Sequence, residues 1–354
     1  MFVCHGPCYR VATDMEYRRM GRSGLKVSEL CLGTMTFGVT ADAGAAARMV
    51  DAAFAAGINF FDTANSYADG ESERLLGKAL AGRRQDAVVA TKFFNPMGGG
   101  INDSGMSRVH IMRAVEDSLR RLGTDWIDIY YIHHVDVETE LDEMLYAVDA
   151  LVRQGKVRYP ACSNYEAWRL SEALWISDHH GLARFACYQP QYSLVVRDIE
   201  LEILPLCRYK RLGVAVWAPL AGGFLAGRYR PGMAVREGSR SADGWAYPSA
   251  FFAPSADATL ALLLDRASQI GRTPAQVALR WVLERPGVTS AIVGARNVEQ
   301  LTQNLGAAGW RLDSALAAAL TAVSEPAPRY PQAMQREMVQ RRAAAVAHPT
   351  GDTP

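Results

Sequence analysis

Eight times along the chain a short, continuous apolar run gives way to a longer stretch whose apolar residues recur at i, i+3 and i+4. The runs are ELCLG (29–33), NFFDTA (59–64), AVVATK (87–92), DIYYIH (128–133), VRYPACSN (157–164), ARFACYQPQYS (183–193), GVAVWAPL (213–220) and SAIVGA (290–295). The helical stretches include AGAAARMVDAAFAAG (43–57), ERLLGKAL (73–80), SRVHIMRAVEDSLRRLG opened by Ser107 as N-cap, TPAQVALRWVLERPG (273–287), and a last one from Val298. Strands buried on one face alternate apolar and polar residues, whereas strands covered on both faces read as unbroken apolar runs. Unbroken runs separated by helices therefore call for a parallel sheet, and eight such units call for an α/β fold closed as a single (β/α)8 TIM barrel. An open doubly wound sheet is the competing architecture, but no G-x-G-x-x-G follows the first run. GGFLAG (222–227) lacks the Gly-Lys-Ser/Thr of a phosphate loop and reads as an ordinary connection.

The barrel is expected over residues 15–325, behind a disordered extension at 1–14 and ahead of a short C-terminal tail at 326–354 that caps the barrel or is partly disordered. A long polar connection at 228–257 follows the seventh strand, and loops of that length are lids or disordered segments. Six cysteines are scattered through 354 residues, three of them inside apolar runs, as expected of free buried thiols in a reduced, cytoplasmic protein. Cys4, His5 and Cys8 have the right chemistry for a metal but no second half, so no metal is expected. A formal net charge of +1 gives no reason to expect nucleic acid or an anionic membrane. No apolar run reaches the length of a membrane span, and the N-terminus has no signal-peptide pattern.

In a barrel of this kind chemistry collects at the C-terminal strand ends. Read in order, those ends are Asp62, Lys92, His133, Ser163 with Asn164, Gln189, Trp217, and Gly294-Ala295-Arg296. The lysine stands out because the chain has five lysines against thirty-three arginines. Each residue alone has an ordinary explanation, an aspartate as a cap and a histidine as a hydrogen-bonded core residue. Together, with Tyr67 in the loop after Asp62, they form a proton-transfer set. A free tyrosine, with a pKa of about 10, is a poor acid at neutral pH, and a nearby ammonium favours its phenolate. A buried lysine needs the counter-charge that Asp62 carries. A histidine beside the tyrosine can orient a carbonyl oxygen or relay a proton. The set suits protonation of a carbonyl oxygen whose carbon receives a hydride.

MEYRRMGRSGLKVSELCLGTMTFG, FFDTANSYADGESE, VVATKF, IDIYYIH, CSNY, YQPQYS, WAPLAGGFLAGRY and SAIVGARNVEQLTQNL occur in that order over residues 15–325. In this order they resemble the aldo-keto reductases, including the branch that contains the potassium-channel β-subunits. The resemblance implies Met15 as the start and a tetrad of Tyr67 as general acid with Asp62, Lys92 and His133, the spacing from Asp128 selecting His133 over His134. It implies NADPH (NADP+) as cofactor, its carboxamide held by Ser163, Asn164 and Gln189 and its nicotinamide ring stacked on Trp217 where many relatives have tyrosine. Arg296 would grip the 2′-phosphate, Gln300 and Asn304 would face the adenine, and Gly33, Thr34, Met35, Asp62, Pro219, Leu220 and Gly294 would border the cofactor. Met35, Tyr67, Phe93, Phe94 and His134, with residues 228–257, would line the pocket for a small carbonyl substrate. Two departures are expected to matter. Pro160 and Ala161 replace a β-branched residue and a glycine, so the fifth strand should be distorted, and Ala218 replaces a serine that could reach phosphate. The reading is a carbonyl reductase, with a cofactor-binding regulatory subunit of slow turnover as the alternative. A barrel hydrolase fails for want of a second strand-end acid beside Asp62.

Overall fold

The computed structural model describes residues 15–227 and 254–347. The expected extension at 1–14, most of the 228–257 connection and the last seven residues lie outside them. The chain opens with a two-stranded antiparallel hairpin, β1 (Tyr17–Arg19) and β2 (Lys26–Ser28). Eight parallel strands follow: β3 (Leu30–Gly33), β4 (Phe60–Asp62), β5 (Val88–Phe93), β6 (Ile127–Ile132), β7 (Val157–Ser163), β8 (Cys187–Gln189), β9 (Gly213–Val216) and β10 (Ser290–Gly294). They form a closed barrel in chain order, with β10 pairing β9 on one side and β3 on the other. Each lies within the apolar run expected to form it or reaches one residue beyond it, β5 forward to Phe93 and β6 back to Ile127.

Helices cover the outside: α1 (Ala43–Ala55), α2 (Glu71–Ala79), α3 (Arg108–Leu122), α4 (Leu141–Arg153), α5 (Ala167–His180) and α6 (Ile203–Lys210), then α7 (Ala256–Gln269), α8 (Pro274–Leu283), α9 (Val298–Leu305), α10 (Ser314–Val323) and α11 (Gln332–Ala347). Local chemistry sets their limits. The Ser107 hydroxyl accepts from the His110 backbone N–H at 3.3 Å at the start of α3, and Gly123, at φ 62°, ends it. Thr273 and Gln276 close a capping box around α8, with Pro274 in the first turn.

The core has two parts. A large outer cluster lies between barrel and helices. A smaller inner one fills the barrel with Cys31, Phe60, Val88, Ala90, Ile129, Tyr131, Ala161, Cys187, Ala215 and Ile292, and Met20 and Val27 of the hairpin plug its floor. The plug fits because two glycines meet there. A Cβ on Gly21 would stand 2.4 Å from the Gly213 nitrogen, and one on Gly213 would stand 2.2 Å from the Met20 sulfur.

The expected distortion at Pro160 does not occur. Strand β7 is continuous, with Tyr130 opposite Pro160 and the Pro160 carbonyl accepting from Ala186 at 2.9 Å. In a parallel ladder the N–H and C=O of one residue face the same neighbour. The missing N–H thus faces the chain entering β8, whose pairing starts one step higher at Ala161–Cys187. In the C-terminal tail the described residues build α11, whose described side chains are largely exposed.

Candidate active site

The side-chain period of two on a strand builds the site. Two residues beyond Cys31, Phe60, Ala90, Tyr131, Ala161, Cys187, Ala215 and Ile292, all inner-cluster residues, stand Gly33, Asp62, Lys92, His133, Ser163, Gln189, Trp217 and Gly294. Eight residues, one at or just past the end of each strand, thus face the barrel axis, stepped rather than level, since Asp62 lies opposite Ala90 and Lys92 opposite Tyr131. The same period explains why His133 and not His134 belongs to this set.

Lys92 is its centre. The ammonium nitrogen, buried, donates to Asp62 Oδ1 at 2.5 Å, to the Thr63 carbonyl at 2.7 Å and to the Tyr67 hydroxyl at 3.3 Å. Burial by itself would lower the lysine pKa, but the Asp62 carboxylate and the Tyr67 oxygen outweigh it and hold the pKa above its ordinary value. The lysine therefore stays charged. The second carboxylate oxygen of Asp62 accepts from Gln189 Nε2 at 2.8 Å, so both of its oxygens are satisfied.

Tyr67 opens a tight helical turn, Tyr67–Gly70, whose Ala68, Asp69 and Gly70 all have positive φ (49°, 51° and 85°). The turn carries the half-buried phenol back over Lys92. The His133 ring meets the Tyr67 ring edge-on, 6.1 Å between centroids, and stacks on His134 at 4.5 Å and 11°. Burial, then Lys92, then His134 push the His133 pKa down to about 2. His133 is therefore neutral, able to donate one N–H but not to serve as a charged relay. Burial and then Lys92 also lower His134.

Of the expected cofactor residues, Gln189 and Asn164 bond directly to this centre and Trp217 joins it through Asn164. Asn164, at φ 60°, donates from Nδ2 to the His133 carbonyl at 3.0 Å and accepts from Trp217 Nε1 at 3.1 Å. The Ser163 hydroxyl donates to the Gln189 carbonyl at 2.6 Å. Pro219 is buried and Leu220 half-buried beside Trp217, Gly294 is exposed at the end of β10, and Met35 is half-buried. Arg296 and Gln300 stand at the start of α9, where Asn297 caps the helix and Gln300 Oε1 accepts from the Arg296 backbone N–H at 3.1 Å. Asn304 is buried one turn further on.

Two expectations need correction. Phe93 does not line a pocket, because the period that turns Lys92 inward turns Phe93 outward. It is fully buried in the outer core and stacks on Tyr130 at 4.8 Å. The Thr34 side chain is likewise turned away, its hydroxyl bonded to the Asp62 carbonyl at 3.1 Å and to Ser72 at 2.9 Å. Phe94 stands edge-on to His134 at 5.4 Å. Sequence reasoning also missed Thr63, whose signal is its place beside Asp62, and Thr36, whose hydroxyl joins the first strand end to the last through the Ala295 carbonyl at 2.7 Å. Among the described residues no cluster suited to a metal ion occurs, and no helix is long and apolar enough to cross a membrane.

The family model described as the Aldo/keto reductase family matches residues 29–325. The chain is 40% identical over 310 residues to the Bacillus subtilis (strain 168) protein named Uncharacterized oxidoreductase YrpG, covering 84% of this chain and 93% of that protein. It is 36% identical over 302 residues to a Probable voltage-gated potassium channel subunit beta of Oryza sativa subsp. japonica, covering 83% and 91%. It is 35% identical over 305 residues to a Putative voltage-gated potassium channel subunit beta of Schizosaccharomyces pombe (strain 972 / ATCC 24843), covering 83% and 88%.

Proposed function

Because the chain belongs to the aldo/keto reductase family, we propose that it reduces an aldehyde or ketone to an alcohol with NADPH, Tyr67 delivering the proton to the carbonyl oxygen. The observation that carries this reading is the Lys92 ammonium held simultaneously by Asp62, the Thr63 carbonyl and the Tyr67 hydroxyl. As the phenol gives up its proton, negative charge appears on an oxygen 3.3 Å from a fixed cation, already desolvated and already oriented. Asp62 keeps that cation charged inside the barrel, and Gln189 keeps Asp62 in place. Neutral His133 offers an N–H to the substrate oxygen and so orients it for Tyr67.

The residues around this centre fit a nicotinamide dinucleotide. Asn164 retains one amide hydrogen and one lone pair beyond its two bonds, Gln189 retains Oε1, and the half-buried Trp217 offers a ring face. Arg296 at the N-terminus of α9 supplies the guanidinium fork and backbone N–H groups that suit phosphate. When bound, NADPH supplies the hydride. The contiguous rings of His133, His134 and Phe94 favour flat, apolar or aromatic carbonyl compounds over sugar phosphates.

The test is NADPH consumption with a panel of aryl and alkyl aldehydes, with cofactor affinity measured in parallel. Wild-type turnover is expected, and Tyr67→Phe should bind NADPH almost unchanged while losing roughly 100-fold or more in kcat. Full turnover by Tyr67→Phe would overturn its role as the acid. Tight binding of NADPH with no turnover on any carbonyl would instead favour a cofactor-binding regulatory role, in line with the names of the subunit beta relatives.

A further inference from the structure

His133 is the first residue beyond the end of β6. Its ring nitrogen Nδ1 is buried and has no hydrogen-bond partner among the described residues. In a site that depends on where an imidazole points, a bond at Nδ1 is the usual way to fix it. That bond is absent here. The ring inherits its direction from its own backbone and from the stacked His134.

The backbone is fixed at both of its polar groups. The His133 N–H donates to the Phe93 carbonyl at 3.0 Å, which adds one rung to the pairing with β5. The His133 carbonyl accepts from Asn164 Nδ2 at 3.0 Å, and the Asn164 Oδ1 accepts in turn from the indole N–H of Trp217 at 3.1 Å. Asn164 itself has φ 60°, a left-handed conformation that leaves its direction dependent on these two bonds. The ends of β6, β7 and β9 are thereby tied in one line of side-chain bonds, and its far anchor is the single polar hydrogen of an indole.

We infer that Trp217 is a positioning residue for His133, acting through Asn164 by its indole N–H, separately from any stacking of its ring on the cofactor. The inference rests on the proposed reductase reading for its kinetic arm only. A phenylalanine at 217 keeps a ring face but has no N–H. Asn164 would then be held at one end only, and the His133 carbonyl would follow it. A small misplacement of a group that orients the substrate can lower the rate by up to about 100-fold.

The experiment is a double-mutant cycle of Trp217→Phe and Asn164→Gly. Glycine is chosen because it accepts the positive φ and removes both bonds without adding backbone strain. Trp217→Phe made in the Asn164→Gly background reports the ring stack alone. The expected result is that Trp217→Phe lowers kcat roughly ten times more in the wild-type background than in Asn164→Gly, with equal changes of NADPH affinity in the two. Equal losses of kcat in both backgrounds would overturn the inference while leaving the reductase reading intact. A second readout needs no turnover. By NMR, Asn164→Gly should shift the Trp217 indole N–H and speed its solvent exchange, and Trp217→Phe should shift the His133 imidazole signals only while Asn164 is present. Unmoved His133 signals would overturn the inference even in a protein that reduces nothing. Wild-type protein without turnover would overturn the reductase reading, and the NMR result would still decide the inference.

Discussion

His133 gains nothing from the partners that keep Lys92 charged, and the difference shows in how each responds to acid. Its pKa in the folded chain is pushed from 6.5 down to about 2. Below pH 6.5 the unfolded chain takes up a proton that the folded chain refuses, so more protons are bound in the unfolded state and stability falls as pH falls. The loss is about 1.4 kcal/mol for each pH unit between the two values. His110 and His134 are lowered in the same direction and add to it. Urea unfolding between pH 7 and pH 5 should therefore show falling stability with a shallower slope in His133→Gln, and an unchanged slope would show that His133 is charged in the fold. The residue types of the site were legible because all but Tyr67 stand at or just past the ends of apolar runs, where a barrel gathers its chemistry, and Tyr67 lies in the loop after one of them. The partners were less so. Nothing in the sequence says that the Gln189 amide turns to Asp62 or that the Thr34 hydroxyl turns to Ser72. Those choices depend on distances across the barrel.

Among the elements, the turn that carries Tyr67 is the most constrained. Two successive residues with side chains, Ala68 and Asp69, sit in the left-handed region ahead of Gly70. Each costs of order 1–2 kcal/mol. Ala68→Gly is expected to raise stability by about 1 kcal/mol and, by loosening the turn, to lower turnover. Calorimetry beside the aldehyde assay reads both, and a variant that is less stable would contradict the strain. Strands were read well because their apolar runs are continuous and their flanks are polar. Pro160 was misjudged because a proline's effect depends on which neighbour its missing N–H faces, and only the register across β7 and β8 decides that. Phe93 was misjudged for a simpler reason. Adjacent aromatic residues on a strand point opposite ways, and Lys92 had already taken the inward position. The opening hairpin is too short for a clear period, and α11 has too little apolar patterning for one.

At the scale of the whole molecule, a buried ion cluster fastens the two ends of the barrel together. Glu29, just before β3, accepts from Arg18 of the hairpin at 2.7 Å and from Arg280 of α8 at 3.0 and 3.1 Å. Glu29→Ala removes one of the two carboxylates that hold buried Arg280, leaving Glu284 Oε1 3.2 Å from its Nε, and should cost about 1–3 kcal/mol. Glu71→Ala, which breaks the half-exposed pair with Arg74, should leave the urea midpoint nearly in place. Equal shifts would mean that the cluster contributes no more than a surface pair. The same closure governs when the protein can exist at all. Strand β3 emerges early in synthesis, but its partner β10 comes some 260 residues later. At ribosomal speeds of about 5–20 residues per second, the early strands wait roughly 15–50 s with one edge unpaired. Through that interval the nascent chain presents the kind of exposed edge on which chains aggregate, so its yield in a cell depends on what shields that edge until the last strand arrives.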